Sequence, residues 1–174
     1  MKSPTLVLLC AIALLGGANA TRLAAQTPPA PPAAPAASGA EKKSDETPLT
    51  LPGAETLVYR TVKGIELRLH IVKPKGWTAS DKRPAFVAYF GGGWNSGTPE
   101  SSVRYAKWAA GLGLVGIAPD YRTRNRFSGT PEDCVADARA AFDWVAKHAA
   151  ELGVDPAKLV AQGGSAGGHL AAWT

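Results

Sequence analysis

Cysteine is almost missing from this 174-residue chain, which has only Cys10 and Cys134. Once Cys10 leaves with the N-terminal leader described below, one thiol remains and no intrachain disulfide can form. Histidine is scarce as well (His70, His148 and His169); no cysteine–histidine cluster exists, so no metal site is expected. No apolar run reaches the ~20 residues of a bilayer-spanning helix; the longest, Leu6 to Leu15, falls short. Charge is not concentrated either. The net +5 comes from 19 basic and 14 acidic residues scattered along the chain, a solvated surface rather than the one-sided basic face of a nucleic-acid binder. No G-x-x-x-x-G-K-[ST] motif is present. Gly111-Leu112-Gly113-Leu114-Val115-Gly116 does match G-x-G-x-x-G, but that fingerprint holds a dinucleotide only between a strand and the helix it opens. Here a helix precedes the glycines and a strand follows, so no nucleotide and no other cofactor is expected.

The leader and the linker are compositional features. Lys2, the apolar core Leu6–Leu15 and the small-residue stretch Gly16-Gly17-Ala18-Asn19-Ala20 read as a secretory signal peptide cut after Ala20. Export to the periplasm or the medium follows from that reading. Leu9 stands directly before Cys10, where lipid attachment needs a small residue, so a lipoprotein is disfavoured. Residues 21–48 contain Pro28-Pro29-Ala30-Pro31-Pro32 and a charged patch, with almost nothing to bury, and read as a disordered linker. The globular domain is expected over residues 49–174.

Within it, Thr56–Arg60 and Ile65–Val72 are β-rich and joined by Lys63-Gly64, and the second alternates in the period of two; together they predict an antiparallel hairpin. Ile65, Leu67, Leu69 and Ile71 fall on its apolar face. Glu66, Arg68 and His70 fall on the other, which is expected to be wet. Ala85–Phe90 and Leu114–Pro119 are continuous apolar runs of the kind that strands buried on both faces need. A helix is expected over Ser101–Ala110. A second one starts at Thr130-Pro131-Glu132-Asp133, with an N-cap, a first-turn proline and first-turn acids. It runs to Gly153 with Val135, Ala138, Phe142, Val145 and Ala149 inward, and His148 near its end is read as structural. Strands alternating with helices after a hairpin predict an α/β fold with a mostly parallel sheet. Ligands of such sheets bind where loops leave the carboxyl ends of the strands. Three loops leave that edge: Gly91–Gly97, Asp120–Gly129 and the turn at Ser165.

The last of these organises the rest. Leu159-Val160-Ala161-Gln162 runs into Gly163-Gly164-Ser165-Ala166-Gly167-Gly168 and then into helix-forming residues, a strand, a tight turn and a helix start. G-x-S-x-G in that setting is a nucleophile elbow. It lifts Ser165 above the sheet on a strained backbone and aims the first amides of the helix at charge developing beside it. A tetrahedral oxyanion needs two or more preset N–H donors. The Gly91-Gly92-Gly93 loop can bring backbone donors close without Cβ obstruction, opposite the Ala166 N–H. Arg124 and Arg126 leave the same edge and are candidates for binding anionic substrate groups.

Phe90-Gly91-Gly92-Gly93-Trp94 together with Gly163–Leu170, Asp120-Tyr121-Arg122 and the Pro131-Glu132-Asp133 helix resembles the α/β-hydrolases of the hormone-sensitive-lipase-like and feruloyl-esterase-like (BD-FAE-like) group. The resemblance covers residues from about Thr56 onward. It implies an α/β-hydrolase fold and a cofactor-free serine carboxylester hydrolase acting on small or carbohydrate-linked esters. Ser165 would be the nucleophile, and Gly92, Gly93 and Ala166 the oxyanion donors. The chain departs from the family at two points. Phe90 stands where the family's loop usually has histidine. The triad order is serine, acid, histidine, and no Asp or Glu is found after Ser165. His169, one helical turn after Ser165, is expected to pack in the core and not to act as base. The expectation is therefore the N-terminal part of an esterase, truncated after the elbow and inactive alone, that associates with itself through an exposed sheet edge. The alternative is a non-catalytic fragment or degenerate binding module that keeps the elbow as architecture.

Overall fold

The computed structural model describes residues 29–32 and 49–174. The expected signal peptide (residues 1–20) and most of the expected linker (residues 21–48) lie outside the described residues. Five strands form one sheet in the order β1-β2-β4-β3-β5: β1 Glu55–Val62, β2 Ile65–Val72, β3 Arg83–Tyr89, β4 Val115–Pro119 and β5 Val154–Gly163. β1 and β2 form the expected hairpin. Lys63 and Gly64, both at positive φ (49° and 81°), make the two-residue turn whose twist matches that of the strands. β2 lies antiparallel to β4, whereas β3 runs parallel to both β4 and β5. Among the described residues no helix is long and apolar enough to cross a membrane.

Helices cover both faces of the sheet. α1 (Val103–Gly111), entered through a 3-10 turn at Pro99–Ser101, lies on one face. Its Val103, Ala106 and Ala110 close a small core with Leu51, Val72 and Ala118. A Cβ at Gly116 would run into the backbone of Ala106, so α1 sits against β4 at a distance only glycine allows. That is the use of the last glycine in the false dinucleotide fingerprint, whose order in the fold is helix, then strand, as expected.

α3 (Pro131–Lys147) and α4 (Ala166–Ala172) cover the other face, over Leu67, Leu69, Ile71, Val87, Tyr89, Val115 and Ile117. α3 begins with a reciprocal capping box between Thr130 and Asp133. Its fully buried apolar side chains are small, Cys134, Ala138 and Ala141 with Val145, whereas Val135 and Phe142 are only partly covered. Small residues at the contact let the helix approach the sheet closely. Burial pushes the Cys134 thiol up to about 12, and its Sγ donates to the Arg122 carbonyl at 2.9 Å. At the end of α3 the His148 ring stacks on Trp144 at 3.9 Å and bonds the Trp144 carbonyl. α2 (Arg124–Phe127) is a single helical turn inside what reads in the sequence as a loop.

His70 departs from expectation. It is fully buried, not on a wet face. β2 is interior to the sheet, and His70 lies opposite both Thr56 of β1 and Ala118 of β4, on the side covered by α1. Its Nδ1 meets Thr56 Oγ1 at 3.1 Å, while Nε2 is buried without a partner. Burial, with the nearby Arg68 charge, lowers its pKa to about 4. As pH falls below ~6.5, the unfolded chain takes up this proton before the folded one does, so stability is lost from about pH 6.5 down to pH 4. The ring's contribution to that loss is about 3 kcal/mol. Urea unfolding at a series of pH values should show it, and His70→Leu should flatten the dependence across this window. An equally steep dependence in the variant would assign the acid lability to other groups.

Candidate active site

β5 and α4 hold Ser165 between them. Ser165 is the N-cap of α4, with φ 55° and ψ −126°, a conformation costing on the order of 1–3 kcal/mol for a non-glycine residue. The neighbouring glycines make it possible. A Cβ on Gly163 would strike the carbonyl of Gly167, and one on Gly167 would strike the carbonyls of Tyr89 and Phe90. Strand, turn and helix thus meet backbone to backbone, and Ser165 is left exposed at the top. Among the described residues its hydroxyl has no hydrogen-bond partner.

The loop after β3 comes to the same place. A Cβ on Gly91 would lie 2.8 Å from the Gly164 oxygen and 3.5 Å from Ser165 Cβ. Gly92, Gly93 and Trp94 follow at φ 138°, 62° and 62°, so the chain turns through a left-handed stretch beside the elbow. The Gly92 carbonyl accepts from the Asn95 and Ser96 N–H groups, both at 3.1 Å. Among the described residues, the N–H groups of Gly92, Gly93 and Ala166 donate to no protein acceptor. The structure therefore brings Ser165, Gly92, Gly93 and Ala166 to one sheet edge with the backbone donors unspent.

The segment after β4 braces this loop, a role the sequence reading missed. The Tyr121 hydroxyl donates to the Phe90 carbonyl at 2.6 Å, and the two rings stack at 3.9 Å and 11°. The Arg124 and Asn125 amides donate to the carbonyls of Trp94 and Asn95 at 3.0 and 2.8 Å. Arg126 does not face a cleft. Its guanidinium is buried and grips Asp120 at 2.8 and 2.6 Å while donating to the Gly97 carbonyl at 3.0 Å. Both ends of the loop are thus tied to one short segment. The available signal was Asp120 six residues before Arg126, an acid at the end of a buried strand that needs a cation.

Burial pushes the Asp120 carboxyl above its usual range, and the Arg126 hydrogen bonds oppose that rise. Tyr59 and the Arg68 carbonyl tie Asp120's own backbone at 2.7 and 2.8 Å. A second buried acid, Asp137 of α3, holds Arg122 through Nε at 2.7 Å and the Arg122 amide at 3.1 Å, and also takes Arg60 at 2.8 Å. Arg124 is exposed, beside a cleft of about 440 Å³ that Gly93, Trp94 and Asn95 also line.

His169 is exposed rather than packed in the core. Its Nε2 accepts from Trp173 Nε1 at 3.1 Å, and its ring meets Trp94 edge-on at 5.3 Å. The first turn of α4 buries Ala166 and Gly167, which leaves His169, four residues after Ser165, pointing outward. Among the described residues no group of three or more His, Cys, Asp or Glu side chains is placed to hold a metal.

Arg126→Ala would leave Asp120 charged, buried and unpaired, which costs about 3–5 kcal/mol. Urea unfolding should show a loss of that size, with a smaller loss in the Asp120→Asn, Arg126→Met double variant. Equal losses in both would mean that packing, rather than the stranded charge, dominates.

The likenesses to known proteins agree with this geometry. The BD-FAE family pattern matches residues 69–174. Carboxylesterase NlhH of Mycobacterium tuberculosis is 36% identical over 97 residues, covering 53% of this chain and 28% of the relative. Carboxylic ester hydrolase LipN of the same species is 32% identical over 138 residues, covering 77% and 32%. The apo form of Thermogutta terrifontis esterase 2 superposes with a TM-score of 0.68 at 54% identity, covering 70% of this chain and 45% of the esterase. The chain thus spans about a third or less of the curated relatives' length, and under half of the solved esterase. The family pattern takes in β4, the braced loop and the elbow, and on that match, over more than half of its length, the chain belongs to the BD-FAE family of α/β-hydrolases.

Proposed function

We propose that this protein is a serine carboxylester hydrolase, with Ser165 as nucleophile and the Gly92, Gly93 and Ala166 N–H groups as oxyanion donors. The observation that carries the reading is the coincidence of a strained, exposed Ser165 with three unspent amides on either side of it. Attack of the hydroxyl on an ester carbonyl forms the Ser165 Oγ–C bond and moves charge onto the carbonyl oxygen. Donors already in place stabilise that charge without reorganising. Collapse expels the alcohol and leaves an acyl-serine, which water then cleaves. The named relatives are themselves carboxylester hydrolases.

The serine also needs a base, because its hydroxyl stays protonated near neutral pH. His169 does not fill that role, since its Nε2 is engaged by Trp173 and it sits on the helix following the elbow. The base and its acid partner are therefore taken to lie outside residues 1–174, and this stretch alone to be inactive. Small or carbohydrate-linked esters are the proposed substrates, and the proposed site of action is outside the cytoplasm, after export by residues 1–20. The competing reading, a binding module that keeps the elbow as architecture, predicts no turnover by any form of the protein.

In the intact gene product, Ser165→Ala should lower p-nitrophenyl acetate hydrolysis by about 10⁴-fold or more. Unchanged turnover would overturn the assignment. Residues 21–174 alone should do no better than their own Ser165→Ala control, and turnover well above it would make His169 the first suspect for the base. Among the described residues β5 pairs only with β3, and Val160 on it is 46% exposed. A strand edge of this kind recruits other chains. Sedimentation of residues 21–174 should accordingly show oligomers, and a monodisperse monomer would contradict this.

A further inference from the structure

The cleft beside the oxyanion loop contains one formal charge. Gly93, Trp94, Arg124, Ser128 and Thr130 are on its wall, and its volume of about 440 Å³ would take a group of monosaccharide or short-acyl size. Arg124 is the only charged residue of that lining. Its backbone is fixed by the bond to the Trp94 carbonyl at 3.0 Å, yet among the described residues its guanidinium has no ion-pair or hydrogen-bond partner. The acids nearest in sequence are committed elsewhere. Asp133 holds Arg122 at 3.0 Å and the Thr130 amide at 3.1 Å, and Glu132 lines a different groove, with Arg139 and Trp173.

Polar groups other than Arg124 border the same space. The Thr130 oxygen accepts the Asp133 amide, and its hydroxyl is also engaged by the Glu132 side chain. Ser128 is held at φ 54°. Trp94 contributes part of the wall, and its indole N–H is shut off from solvent without a partner. Arg126 would have added a second positive charge, but Asp120 neutralises it. The cleft is thus cationic by one charge, borders the proposed oxyanion donors through Gly93, and has no carboxylate residue in its lining.

We propose that this cleft is a carboxylate subsite, with Arg124 as its cation, and that the protein prefers esters bearing a second, ionised acid group. The inference rests on the reading of Ser165 as an ester-cleaving nucleophile, because that reading makes Gly93 the boundary between the reacting carbonyl and this cleft. A guanidinium suits the task, since its planar fork matches a carboxylate with two donors. Uronate-bearing esters and half-esters of dicarboxylic acids are the substrate chemistry it selects.

The test separates binding from chemistry. Monomethyl succinate and its neutral counterpart dimethyl succinate are titrated into the intact gene product carrying Ser165→Ala, with tryptophan fluorescence as readout. The monoacid should bind about fivefold more tightly, the order expected of an exposed ion pair, and added salt should erode the difference. Arg124→Gln should abolish the preference and Arg124→Lys should keep part of it. Equal affinities, no detectable binding of the monoacid, or a preference that survives Arg124→Gln would each overturn the proposal. None of these outcomes depends on turnover, so a failure of the esterase reading shows separately in the p-nitrophenyl acetate comparison.

Discussion

The ion pair between Asp120 and Arg126 is the constraint on which the site's shape depends. Asp120 sits just beyond β4, fully buried, with its amide on β2 through the Arg68 carbonyl and its carbonyl on β1 through the Tyr59 hydroxyl. Its carboxylate also accepts the Tyr121 amide at 2.8 Å. Arg126 carries the connection onward to Gly97, at the far end of the loop after β3. One charge pair therefore links three strands to the two loops around Ser165. A buried pair of this sort adds little net stability over an apolar substitute. It does impose geometry, because neither partner can move without stranding the other in a dry interior.

The strain at Ser165 makes sense against that frame. A residue held at φ 55° and ψ −126° stays there only if its surroundings leave no alternative. β5 supplies one side, paired to β3 in parallel as far as Tyr89 and Gly163. The other side is α4, whose Gly167 lies against the Tyr89 and Phe90 carbonyls. Those carbonyls belong to the segment that Tyr121 clamps from the opposite direction. The elbow and the glycine loop are thus held against each other through the end of β3, and a disturbance of either is transmitted to the other.

Much of this could be read from the sequence, and the failures share a cause. Local signals were reliable: the Lys63-Gly64 turn, the capped start at Thr130 and the strand–elbow–helix around Ser165 each follow from a few adjacent residues, and all three are present. What covers a face is not a local property. The alternation of β2 separates His70 from Leu69 and Ile71, but it does not say that β4 pairs alongside or that α1 lies over the second face. Arg126 failed for the same reason. A run of basic residues after a strand looks solvated until Asp120 is recognised as a buried acid requiring one of them. Arg124, two residues earlier, did stay in the open beside a cleft, so the pair of arginines divided between structure and surface.

Phe90 shows how such a site tolerates substitution. Backbone groups are the proposed donors of the oxyanion loop, and a backbone is indifferent to side-chain identity so long as its path is kept. The path here is kept from Tyr121, which combines a 2.6 Å hydrogen bond to the Phe90 carbonyl with a ring stacked on Phe90 at 3.9 Å. The hydrogen bond needs nothing from residue 90 except its main chain. Stacking needs only a flat ring, and phenylalanine supplies one without adding a second buried polar atom that would need a partner. Tyr121 can meet both requirements because its own position is set by Asp120, whose carboxylate holds the Tyr121 amide. The side chain that looks like a departure from the family's loop is therefore the apolar half of a contact whose polar half runs through the main chain.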